Sequence, residues 1–132
     1  MWRPYAGAIA AIGGGFGVSA LACKPSSNTS PLQPPDWVFP VVWTGLFGLQ
    51  GAVAASSGLK LGVITIVLLA LEYAWSFVYC ASKKASSWLM IPMVGLALYM
   101  LTEDSTLANI TGAATAAWIL FAQQLLATDR SI

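Results

Sequence analysis

The sequence contains no histidine, only two cysteines (Cys23 and Cys80) and few charges, six basic and five acidic residues among 132. Each shortage excludes a class of chemistry. Without histidine, and with its cysteines far apart, the chain offers no zinc ligand set, no Cys-His nucleophile and no disulfide framework. A net charge of +1 gives no basic face for nucleic acid. Charged residues make up 8% of the chain, where a soluble domain carries about 25%. Apolar residues take their place, at 58% hydrophobic with a mean hydropathy of +0.74. So much apolar surface belongs in a bilayer, and the length excludes a large multi-domain enzyme.

A charge inside hydrocarbon is costly, so charges mark the ends of spans. Ten of the eleven do so, leaving five stretches of about bilayer length, residues 5–23, 37–59, 61–82, 85–102 and 105–128. Period-two alternation is absent, which excludes a β-barrel. The expected fold is an all-α membrane protein, a five-transmembrane-helix bundle in a single domain, residues 1–132. Connections as short as Lys83-Lys84 and Glu103-Asp104 make consecutive helices antiparallel neighbours. The first stretch has some features of a secretory or lipoprotein signal, but its apolar run exceeds a signal core. Its Gly13 and Gly17 have the spacing that lets helices approach closely.

Orientation follows from Lys and Arg. Lys24, Lys83, Lys84 and Arg130 share one face and Arg3 and Lys60 the other. The richer face is expected in the cytoplasm, with the amino terminus away from it and the carboxyl terminus cytoplasmic. The membrane is then a bacterial inner or an organellar one.

The single long connection, residues 24–36, holds four prolines and cannot be helical. A loop of that length in a compact bundle is the natural lid for a site. Trp2, Trp37 and Trp88 stand at span ends, where indoles anchor at headgroups. Trp43, Trp75 and Trp118 lie deeper, about 9, 10 and 15 Å from the long-loop face. Phe39, Trp43 and Phe47 form an aromatic stripe on the second helix, and Ala114, Trp118 and Ala122 a row on the fifth. Glu72 is the only charge within a span, on one stripe with Trp75, Ser76 and Tyr79. An intramembrane carboxyl marks a functional site facing the bundle interior. The plainer alternatives are rings that fill a core and a protonated acid hydrogen-bonded to a neighbouring helix.

Lys24-Pro25-Ser26, then Pro34-Pro35-Asp36-Trp37-Val38-Phe39-Pro40-Val41-Val42-Trp43-Thr44, closely resembles the signature of the tryptophan-rich sensory protein and translocator protein family (TspO/MBR, the peripheral benzodiazepine receptor). The likeness continues through Ala74-Trp75, Lys83-Lys84 and Ala117-Trp118-Ile119-Leu120-Phe121-Ala122. It implies a five-helix membrane protein, commonly a homodimer among lipids, with protoporphyrin IX or a related tetrapyrrole as ligand rather than as a required cofactor. It implies a pocket lined by Trp43, Phe47, Trp75, Trp118 and Phe121 with Ala122 beside it, and the stripes on the second and third helices add Phe39, Glu72 and Tyr79 to the expected ligand-binding residues. Lys24, Pro25, Pro34, Pro35 and Trp37 would form the lid. At most one catalytic activity is implied, light-dependent porphyrin breakdown at Trp43 and Trp118; no metal site is expected.

The chain departs from the family pattern in places. Glu72 occupies the family's asparagine position, Phe47 replaces a tyrosine, and the carboxyl-terminal tyrosine of the proposed cholesterol motif is absent. Without histidine to ligate haem iron, metal-free porphyrin is the expected form. The competing class is a small proton-coupled transporter, in which Glu72 alternately binds a proton and a lipophilic cation between aromatic walls.

Overall fold

Long apolar runs satisfy their backbone in an apolar setting through intrahelical hydrogen bonds. The structure, a computed structural model, describes residues 3–21 and 38–127, and among these it contains five α-helices and no strand. They are α1 (Arg3–Leu21), α2 (Val38–Ser56), α3 (Leu59–Ala81), α4 (Lys83–Met100) and α5 (Thr106–Ala127). Consecutive helices pack together, α2 also meets α5, and α1 meets α3. Leu59–Tyr79 and Thr106–Ala127 are long and apolar enough to cross a membrane, while Pro4–Val18 and Val41–Ser56 are shorter apolar segments.

The helix breaks depart slightly from the charges. Lys60 lies in the first turn of α3, because the chain turns at Ser57-Gly58, with extended Gly58 as the cap. Glycine is a poor helix former and lysine a good one, so the break moves to the glycine. Likewise Lys83 and Lys84 open α4 instead of forming a turn. Ser82 alone joins α3 to α4, extended at φ −161° and ψ 115°, its hydroxyl accepting from the Ala85 amide at 3.2 Å. A serine in that role satisfies a donor that the first helical turn leaves open.

At the opposite end, Asn109 closes the turn between α4 and α5. Its amide donates to the carbonyls of Met100, Leu101 and Glu103 at 3.1, 3.2 and 3.0 Å. Lys60 Nζ lies 3.8 Å from Glu103 Oε1 and 5.2 Å from the centre of the Tyr99 ring. Lys60 and the Glu103-Asp104 turn therefore share one end of the bundle, as their span-end positions imply. Between the ends, α4 buries Ser86, Met90, Met93, Ala97 and Met100 at alternating spacings of four and three. The methionines pack with Val53, Leu61, Leu68 and Ile119.

Close approach of α1 to α2 occurs away from the expected place. A Cβ built on Gly13 or Gly17 meets nothing within 4 Å. The contact lies at Gly7 and Gly51 instead, where each would-be Cβ runs into the other's carbonyl oxygen. Ala55 and Ala11, one turn along, complete the seam. Spacing alone named the wrong pair because α1 carries small residues on more than one face.

A matched pair of substitutions tests this seam. Gly51→Ala must push two backbones apart and is expected to destabilise by about 1–3 kcal/mol. Gly45→Ala, where a Cβ meets nothing within 4 Å, is expected to stabilise by about 0.5–1 kcal/mol through helix propensity. Thermal unfolding followed by circular dichroism in detergent reads both; equal shifts would refute the seam.

Candidate functional site

Burying a polar side chain among apolar helices is tolerated when another polar group meets it. Glu72 is 2% exposed on α3, and its Oε2 accepts a hydrogen bond from Gln50 Nε2 on α2 at 2.9 Å. The same Gln50 nitrogen lies 3.0 Å from Thr115 Oγ1 on α5, to which it also donates. Gln50 and Thr115 are fully buried. A carboxyl, an amide and a hydroxyl thus tie three helices at one level. Two oxygens remain open there, since Glu72 Oε1 and Gln50 Oε1 are buried without a hydrogen-bond partner.

The aromatic rings gather towards one end from this level. The Trp43 ring centre lies 5.4 Å from Phe47, 6.2 Å from Trp75 and 6.4 Å from Trp118, the last edge to face at 87°. Trp75 stacks on Tyr79 at 4.8 Å and 22°, and Lys83 Nζ lies 5.9 Å over the Tyr79 ring. Trp118 meets Phe121 at 5.6 Å. Trp43 is the hub, touching rings from its own helix, α3 and α5.

A cavity of about 270 Å³ opens on the α1 side of this cluster. Its α1 wall is Ile12, Gly15, Phe16 and Val18; Trp43, Thr44 and Phe47 come from α2, and Glu72, Tyr73, Trp75 and Ser76 from α3. Gly15 is needed here, since a Cβ at that position would strike the Phe47 ring. Tyr73 fixes the same wall by donating from its hydroxyl to the Ala11 carbonyl at 2.6 Å, and its ring packs 5.3 Å from Phe47. Two of the residues that line this largely apolar space, Glu72 and Trp75, each carry a buried polar atom without a hydrogen-bond partner, Oε1 and Nε1.

The residues expected from the sequence divide into three groups. Trp43, Phe47, Glu72 and Trp75 line the cavity, as does Ser76. Trp118 reaches the cluster through Trp43, Tyr79 through Trp75 and Phe121 through Trp118, while Ala122 packs against the hydrophobic core; none of these four lines the cavity. The α5 face that meets the polar level runs through buried Thr115 rather than half-buried Ala114. Lys24, Pro25, Pro34, Pro35 and Trp37 lie outside the described residues, as does the side chain of Phe39. Gln50, Thr115, Tyr73 and the α1 wall escaped the sequence reading. Gln50 was discoverable as the only amide in the second span, seven residues from Trp43 and three from Phe47. Among the described residues no group of three acidic, cysteine or histidine side chains is placed to hold a metal.

The bond between Gln50 and Glu72 predicts a stability cycle. Gln50→Leu strips the buried carboxyl of its donor and should cost about 1–3 kcal/mol, whereas Gln50→Leu with Glu72→Leu removes both partners and should recover most of that loss. Melting temperatures in detergent measure the cycle; additive losses would refute the coupling.

No curated protein and no solved structure matches the chain at a significant level. The model of the TspO/MBR family matches residues 5–128, nearly the whole length. That range takes in all the cavity-lining residues and the Gln50, Glu72 and Thr115 level. The chain belongs to the TspO/MBR family, a family of membrane tetrapyrrole-binding and translocator proteins.

Proposed function

We propose that this protein is a multi-pass membrane receptor or translocator for a tetrapyrrole, binding metal-free protoporphyrin through Trp43 and the rings around it. All five helices cross the bilayer in this reading, with the amino terminus away from the cytoplasm and the carboxyl terminus within it. Four basic residues against two support that orientation. A homodimer is consistent with the exposed small residues Ala70 and Ala74 on α3.

One observation carries the proposal: Trp43 has ring centres of Phe47, Trp75 and Trp118 within 6.4 Å and itself lines the cavity. A flat apolar macrocycle gains most from several indole and phenyl surfaces held at fixed positions. The cavity is bordered by the late residues of α1 and the early residues of α2. Residues 22–37 join those two helices in the sequence, which supports Lys24, Pro25, Pro34, Pro35 and Trp37 as its cover. Tyr79 extends the aromatic wall through Trp75, Phe121 packs on Trp118, and the place of Phe39 four residues before Trp43 and of Ala122 four residues after Trp118 in the sequence adds these two to the proposed site. Light-dependent porphyrin breakdown would use the indoles of Trp43 and Trp118 as electron-rich neighbours of the excited ring.

Titrating the detergent-purified protein with protoporphyrin IX in the dark, and following tryptophan fluorescence, tests the reading. Saturable quenching at micromolar or tighter concentration is expected. Trp43→Phe and Trp118→Phe should each weaken the dissociation constant roughly two- to tenfold. An absence of saturable quenching would sink the tetrapyrrole proposal.

A second reading, proton-coupled transport of lipophilic cations, is favoured by the open oxygen of Glu72 on a residue that lines the cavity. It predicts that proteoliposomes lose cation flux on Glu72→Gln while tryptophan substitutions alter selectivity. Flux that survives Glu72→Gln would exclude it.

A further inference from the structure

The two lysines that open α4 point to different surroundings. Lys84 is exposed, and Trp88, one turn further along the same face, is 67% exposed. An ammonium and an indole on an outward face at a helix end belong to the headgroup region. Lys83 is half-buried, its Nζ 5.9 Å over the centre of the Tyr79 ring. Two hydrogen bonds hold the backbone from which it projects. Ser82 caps the helix through the Ala85 amide at 3.2 Å, and buried Ser86 donates from its hydroxyl to the Lys83 carbonyl at 2.6 Å. A fixed first turn limits the freedom that the lysine loses when a ligand arrives.

Lys83 also ends a continuous run of rings. Trp43 lies 6.2 Å from Trp75, and Trp75 stacks on Tyr79 at 4.8 Å. Of the α3 residues on the cavity wall, Trp75 and Ser76 lie nearest the carboxyl end of the helix, with Tyr79 the next turn out. Glu72 stands at the opposite end of that wall, and the groups bonded there, Gln50 and through it Thr115, carry no charge. A ring system lying against Trp43 and Trp75 thus has an acid and neutral polar groups at its inner edge and an ammonium beyond its outer edge. A ligand carboxylate at the inner edge would be buried without a cation, at high cost. At the outer edge an ammonium, with several N–H donors, can hold a carboxylate while resting on a ring.

We propose that Lys83 is the carboxylate-binding residue of the site: an apolar ring ligand packs its face on Trp43 and Trp75 and extends an acidic side chain past Tyr79 to the Lys83 ammonium. For the tetrapyrrole proposed above, that side chain is a propionate. The inference rests on that reading and adds to it an orientation, acidic edge towards the junction of α3 and α4, and a preference for acidic over esterified porphyrins.

The test titrates protoporphyrin IX and its dimethyl ester, in the dark, into the protein in a nonionic detergent and follows tryptophan fluorescence. The quantity read is the ratio of the two dissociation constants, ester to acid, because partition into micelles is common to all variants and cancels between them. Lys83→Gln should lower that ratio roughly three- to thirtyfold with ester affinity unchanged, as loss of a charge-assisted hydrogen bond at a half-buried position implies. Lys83→Arg keeps the charge and should keep the ratio. Lys84→Gln removes an equal charge from the outward face and should leave the ratio as in the wild type. A ratio unmoved by Lys83→Gln, lost in Lys83→Arg, or lowered as much by Lys84→Gln would overturn the inference and leave the tetrapyrrole reading standing. Saturable quenching by neither porphyrin would sink both.

Discussion

One amide sets the register of the bundle. Gln50 spends its nitrogen on Glu72 and Thr115, and in apolar surroundings neither bond has water as a substitute. The three residues must therefore stay level, and the helices carrying them follow. From that level the rings lie at short, matching offsets: Phe47 three residues and Trp43 seven before Gln50, Trp75 three after Glu72, Trp118 three after Thr115. Because α2 runs against α3 and α5, these offsets all point towards the same end. A slide of α2 by one turn would disperse the cluster and leave an acid buried without a donor.

The fold was legible because charges are rare enough to act as punctuation. Where a better helix breaker lay nearby the punctuation misled slightly, as Ser57-Gly58 outranks Lys60 and Ser82 outranks Lys83-Lys84. The aromatic members of the site were legible for a related reason: three- and four-residue spacing on one helix predicts which rings share a face. The partners of those faces were not, since they depend on how helices rotate against each other. Tyr73 illustrates the point. It sits one residue beyond Glu72, turned about 100° away from the stripe that drew attention, and that turn aims it at α1. Gly7 and Gly51 escaped for the same reason, because a seam needs two helices and spacing describes one.

Packing and polarity are divided between different parts of the bundle. One half is a methionine-rich core shared by α3, α4 and α5 with Val53 of α2, its flexible side chains filling uneven space. The other half, around α1 and α2, is held by glycine contacts and a phenol, and it leaves the cavity open. Flexible thioethers close gaps, whereas rigid rings pressed on glycine backbones preserve them. The cavity lies where the rigid elements are.

Within that cavity the contributions of the helices differ in kind. Among the described residues, α1 contributes Ile12, Gly15, Phe16 and Val18, none of which carries a side-chain donor or acceptor, while the side-chain hydrogen-bonding groups on the wall belong to α2 and α3. Drift in the sequence of α1 therefore reshapes the space without altering its chemistry, and drift on the facing helices does the reverse. Descendants of this gene could change the girth of what they hold and its polarity by separate mutations, each selectable by itself.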